Sequence, residues 1–172
     1  MAAAEEHYVL DRPSFDDPVK LLIVVAPYYK DIADQLVTGA KAEIEAVGGT
    51  WDLIEVPGAL EVPTAICIAD RASNFDGYVA LGCVIRGETT HYETVCNDSS
   101  RAITLLGLQG LCIGNGILTV ENRAQAEARA GAQNKGGGAA AAALHLIALA
   151  RKWRGAKGGI GFRPAGQDTI IA

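Results

Sequence analysis

Uninterrupted apolar runs alternate along this chain with stretches in which apolar residues return every three or four positions. The first run, "KLLIVVA" from Lys20, follows an N-terminal lead that ends near Pro18. It carries no polar alternation, as expected of a parallel strand covered on both faces, and Pro27 closes it. From there Ile32, Leu36, Val37, Ala40, Ile44 and Val47 fall at helical spacing until Gly48-Gly49 stops the helix. "TWDLIEV" (50–56) predicts a second strand, "PGALEVP" a turn, and "TAICIADRA" (64–72) a second helix. "FDGYVALGCVI" (75–85) predicts a third strand, and the helix after it has Val95, Ser99, Ala102, Ile103 and Leu106 on one stripe. "GLCIGNGIL" (110–118) predicts a fourth strand. A short polar helix, "ENRAQAEARA", and a long one, "GGGAAAAALHLIALARKW", complete the pattern. The order βαβαβαβαα predicts a parallel sheet with helices on both faces. The alanine run at 139–143 reads as close helix packing, since alanine is the best helix former.

At 172 residues, 49% apolar and 20% charged, the chain suits one well-cored soluble domain, and 20 glycines suit close packing of helices on a sheet. A net charge of -5 argues against a broad footprint for nucleic acid or anionic membrane, so any anion must be met locally. No apolar run reaches the roughly 20 residues that cross a bilayer. The acidic start "MAAAEEHYVLDRPSFDD" lacks the pattern of a signal peptide, so a cytoplasmic protein is expected. Cys67, Cys83, Cys96 and Cys112 are widely spaced in apolar surroundings and read as buried free thiols, with no metal-ligand grouping. The glycine-rich stretch 155–172 reads as a flexible tail, leaving 1–17 as a lead and 18–154 as the domain.

Parallel α/β sheets bind ligands beyond the carboxyl ends of their strands. On that rule Tyr28 and Tyr29, Gly58 to Glu61, Cys83 to His91 and Gly114-Asn115-Gly116 meet at one rim. "GCVIRGETTH" is the sharpest of these segments. Gly87 permits a tight turn, and Thr89-Thr90 at a helix start offer amides and hydroxyls either to a phosphate or as an ordinary cap. Glu88 is expected to face outward, lending only its N–H, while Arg86 could meet a phosphate or a carboxylate. His91 is placed to give and take a proton within one cycle, or simply to meet solvent. Glu61 could hold a polyol or ring nitrogen, or favour its own helix start. Tyr28 could stack on a planar ring or stand as an ordinary exposed tyrosine. Arg129 and Lys135 are either phosphate clamps or cations near helix ends. His145, in an alanine-leucine helix, reads as structural, and His7 lies in the lead.

The segments "VPGALEVP", "GCVIRGETTHYETVC", "GNGILTVEN" and "QAEARAG" followed by "NKGG" are together similar to the successive motifs of the lumazine synthase family, over about residues 18–153. The resemblance implies a three-layer α/β/α sandwich with a four-stranded parallel sheet in the flavodoxin-like order 2-1-3-4. It implies that 5-amino-6-(D-ribitylamino)uracil stacks on Tyr28, with its ribityl chain held by the backbone of Ala59 and Leu60 and the carboxylate of Glu61. Cys83, Val84 and Ile85 would line the pyrimidine, and Asn115 would bond its edge. Glu88 and Thr89 would hold the phosphate of (2S)-2-hydroxy-3-oxobutyl phosphate, aided by Arg129 and Lys135, with His91 as the proton-transfer residue. No cofactor or metal is implied, in keeping with a sequence that has neither a P-loop nor a dinucleotide fingerprint. Family members form at least pentamers with sites shared between subunits, so Asn115, Arg129 and Lys135 would face the remaining residues from a neighbour. The loop "GAQNKGG" looks shorter than in some members, which favours a pentamer over a sixty-subunit shell. Competing readings are a protein that retains flavin or lumazine without making it, a shell or carrier protein, and a flavodoxin-like electron carrier.

Overall fold

The computed structural model describes residues 7–159. Four strands, β1 (Lys20–Val25), β2 (Thr50–Glu55), β3 (Gly77–Ile85) and β4 (Ile113–Val120), form one sheet in the order β2-β1-β3-β4. All three pairings are parallel, with Lys20 opposite Thr50, Leu21 opposite Gly77 and Tyr78 opposite Ile113. The helices are α1 (Lys30–Ala46), α2 (Glu61–Ala72), α3 (His91–Leu108), α4 (Arg123–Ala130) and α5 (Lys135–Gly159). This is the expected three-layer sandwich and strand order.

Alternate residues of the central strands point to opposite layers. Leu21, Ile23 and Val25 of β1 join Ile32, Leu36 and Ile44 of α1 and Leu144 of α5 in one core. Leu22 and Val24 join Val62 and Ile66 of α2 and Ile103 of α3 in the other. β1 is buried at every position after Lys20, whereas β2, at the sheet edge, has no fully buried residue.

Several boundaries differ from the expected ones. Helix α2 begins at Glu61 rather than Thr64. Pro63 then sits in the first turn, where its missing N–H removes no helical bond. Strand β4 begins at Ile113 and runs to Val120, so Gly114, Asn115 and Gly116 lie inside the strand and not at its carboxyl rim. The glycines there serve helix packing instead: a Cβ on Gly114 would stand 1.7 Å from the carbonyl oxygen of Ala139 in α5. Gly136 answers the same need between α5 and α1, where a Cβ would come within 2.0 Å of the Leu36 oxygen. Helix α5 continues to Gly159, into the stretch expected to be a tail, and residues 160–172 lie outside those described. Of the four cysteines, all free, Cys83 alone is fully buried, and Cys67, Cys96 and Cys112 are half-buried.

Candidate active site

The order β2-β1-β3-β4 reverses direction between β1 and β3, and crevices form at such switch points beyond the strand ends. The segments leaving β1, β2 and β3 here enclose a cleft of about 560 Å³, a usual size for a small-molecule site. Among the residues singled out in the sequence, Tyr28, Ala59, Leu60, Glu61, Cys83, Val84, Ile85, Thr89 and His91 line it together. Tyr29, expected at the rim beside Tyr28, lines it as well, and Pro57, Tyr92 and Val95 were missed as wall residues. The available signal was adjacency, since Tyr92 follows His91 and Pro57 precedes Gly58.

Three helices open onto this cleft without a side-chain cap. Tyr29, Leu60 and Thr90 occupy the positions before α1, α2 and α3, and none of their side chains bonds a helical N–H. At α2 the Glu61 and Val62 N–H groups turn back to the Gly58 and Ala59 carbonyls and Pro63 has none, so the amides open to a ligand are those before and within the first turns of α1 and α3, where the positive dipole end also favours an anion. By contrast α4 is capped, the Asn122 side chain accepting from the Gln125 N–H at 3.0 Å. In the 87–91 loop the Thr89 hydroxyl accepts weakly from the His91 N–H at 3.4 Å. The chain bends at 88–90 after Gly87, which is not in a left-handed conformation, and a Cβ on Gly87 would meet nothing within 4 Å. The loop is an open lip.

Each wall has its own chemistry. Tyr28 is 76% exposed, with its ring in an edge contact at 5.1 Å from Tyr29, so one face is free for a planar partner. The Glu61 carboxylate folds back over the preceding turn, where a Cβ on Gly58 would come within 2.9 Å of Oε2. Burial pushes the Cys83 thiol up to about 11, so it is a neutral wall group at physiological pH and not a nucleophile. His91, first residue of α3, is exposed toward the cleft.

Arg86 takes the carboxylate partner of the two the sequence left open. It pairs with Glu93 and with Glu121, the latter at 2.6 Å, and its Cζ lies 4.2 Å from the centroid of the Tyr92 ring. The hydrogen bond from Arg86 holds the Glu93 carboxyl below the usual range.

Glu88, Asn115, Arg129 and Lys135 do not line the cleft of the single chain. Glu88 is exposed beside it. Asn115 stands opposite Ala80 within the sheet, its Oδ1 accepting from the Ile117 N–H at 3.0 Å. Arg129 donates to the Gln125 carbonyl at 3.3 Å, and Lys135 opens α5, exposed. Among the described residues no three His, Cys, Asp or Glu side chains gather closely enough to hold a metal ion.

The family model for 6,7-dimethyl-8-ribityllumazine synthase matches residues 18–151, a span that includes every strand and the whole cleft. A protein of that name from a Jannaschia species is 61% identical over 94% of this chain and 92% of its own length. One from Novosphingobium aromaticivorans is 54% identical over 78% of this chain and 98% of its own, and one from Bartonella henselae is 54% identical over 77% and 89%. With a match through all four strands and identities this high, the chain belongs to the 6,7-dimethyl-8-ribityllumazine synthase family.

Proposed function

We propose that the protein is a transferase of riboflavin biosynthesis that condenses 5-amino-6-(D-ribitylamino)uracil with (2S)-2-hydroxy-3-oxobutyl phosphate. The products are 6,7-dimethyl-8-ribityllumazine, phosphate and water. The observation that carries the reading is that an aromatic face at Tyr28, an uncapped helix start at 89–91 and the imidazole of His91 border one cleft.

The pyrimidine stacks on Tyr28 against the wall of Cys83, Val84 and Ile85, with Asn115 on its edge. Its ribityl chain runs past the backbone of Ala59 and Leu60 to Glu61, whose carboxylate accepts hydroxyl hydrogen bonds. The phosphate of the ketone settles on the backbone of Glu88 and Thr89, where free N–H groups and the dipole of α3 favour an anion. The 5-amino group attacks the ketone, and loss of water gives an imine. Elimination then expels phosphate, and the ribityl nitrogen closes the second ring with loss of another water. His91 moves protons in these steps. The reactants are already mutually reactive, so holding them in register supplies much of the acceleration. No cofactor enters this scheme.

Asn115, Arg129 and Lys135 act from a neighbouring subunit in a homopentamer. What supports this is their position away from the cleft of their own chain, together with apolar surface left open on helices, including Leu108 at 81% and Trp153 at 60% exposure. The cytoplasm is the proposed place of action, which suits four free thiols. Purified protein given the two substrates and no additive is expected to form the fluorescent lumazine and release one phosphate per product. Tight flavin or lumazine binding without turnover would instead favour a carrier.

A further inference from the structure

We propose that Arg86 is a positioning residue: it ties the first turn of α3 to the corner between β4 and α4, and so holds the 87–90 loop and His91 in place at the cleft. This rests on the function proposed above. The alternative for so central an arginine is direct contact with the phosphate of the ketone.

Arg86 is the first residue beyond β3, and its N–H donates to the Val120 carbonyl at 2.9 Å, extending the β3–β4 ladder past the strand end. Its guanidinium then spans two elements. Nε donates to Oε2 of Glu121 at 2.6 Å and Nη1 donates to Oε1 of Glu93, while Cζ sits against the face of Tyr92, itself a wall of the cleft. The Glu121 end is a fixed anchor, because its N–H donates to the Gln125 side chain at 2.9 Å and Asn122 caps the same helix. The α3 end needs such a tie. Thr90 does not cap the helix, a Cβ on Gly87 would meet nothing within 4 Å, and among the described residues the side chains of 87–90 reach beyond the loop only through the weak bond that the Thr89 hydroxyl accepts from the His91 N–H at 3.4 Å.

Two carboxylates on one guanidinium also leave Arg86 with no positive charge to spare for an anion. A planar fork can meet both acidic groups and stack on a ring at once, whereas an ammonium cannot. Exposed ion pairs contribute little to global stability, but a catalytic group displaced by about 1 Å loses on the order of 10²-fold in rate. The clamp therefore acts on geometry.

Wild-type protein, Arg86→Gln, Arg86→Lys, the double variant Glu93→Gln with Glu121→Gln, and the triple combination test this. Steady-state kinetics would be measured with inorganic phosphate as competitive inhibitor, beside hydrogen–deuterium exchange. Arg86→Gln is expected to lower kcat about tenfold or more, and, because the loop amides that seat the phosphate loosen with it, to weaken inorganic phosphate to the same modest extent as the Glu93→Gln, Glu121→Gln double variant does. Lysine should recover only part of the loss. The double variant should reproduce the loss, and adding Arg86→Gln to it should change little further. If Arg86 instead binds the phosphate, Arg86→Gln will weaken inorganic phosphate strongly, and removing its two carboxylate partners will tighten it; that pattern overturns the proposal. Exchange gives a readout that does not need turnover: amides of 87–92 should exchange faster in Arg86→Gln with the thermal midpoint unchanged. Unchanged exchange there overturns it too. Absence of turnover in the wild type would count against the proposed function alone.

Discussion

His91 begins α3 beside the start of α1, neither helix carrying a side-chain cap at the residue before it, so an imidazole and backbone N–H groups border the same small volume. An anion settling on those amides would place its leaving phosphate next to a group able to pass protons. Replacing His91 by Ala should lower kcat by on the order of 10²-fold, with the assembly and its thermal midpoint unchanged, measured by initial rates beside light scattering. Unchanged turnover would remove the residue from the mechanism. At this scale the sequence exposed the chemistry-bearing residues but not their partners. The motif that runs from Cys83 to His91 is continuous in the chain, and Cys83, Val84, Ile85, Thr89 and His91 of it line one cleft because a strand end hands directly to a helix start. Arg86 could not be assigned to a carboxylate or to a phosphate, because Glu121 lies 35 residues away and only the β3–β4 pairing brings the two together. Thr90 offered an ordinary cap, and the structure leaves that capping bond unmade.

At the scale of elements, the strands were legible because each central run lacks polar interruption, and α1 because its apolar positions repeat at helical spacing. The segment from Gly114 to Gly116 misled for a physical reason. Glycines beside an asparagine look like a strand end, yet here they let the backbone of α5 press onto β4. Gly114→Ala should therefore cost about 1–3 kcal/mol through overpacking, because its Cβ would lie 1.7 Å from the Ala139 oxygen and the helix must move. Gly87→Ala, with open space around it, should stay within roughly 0.5 kcal/mol of the parent. Chemical denaturation of both variants checks the contrast, and equal losses would refute this account of the glycines. Helix α5 outran its expected end because its last turns contain glycine, a poor helix former, yet helical bonding continues through them.

For the whole molecule, the alternation of strands and helices fixes a doubly wound sheet, and the 2-1-3-4 order places the crevice between β1 and β3. Asn115, Arg129 and Lys135 stand away from the cleft that nine other candidate residues line, and the homopentamer proposed above would bring them to it from a neighbour. If a neighbour supplies them, two inactive variants can repair each other. Arg129→Ala alone should raise KM for the phosphorylated ketone far more than for the pyrimidine. Mixed and reassembled with His91→Ala, it should regain about a quarter of wild-type turnover, since random pairing of halves leaves roughly that share of sites intact. Additive residual rates would place the whole site within one subunit. The central claim is that condensation takes place in the strand-end cleft, and it is tested most directly by a crystal structure with 5-amino-6-(D-ribitylamino)uracil and inorganic phosphate bound. The account predicts the ring against Tyr28, the ribityl chain at Glu61 and the phosphate on the amides of Glu88 and Thr89, with His91 between them. Both ligands bound at any other surface, with this cleft empty, would contradict it.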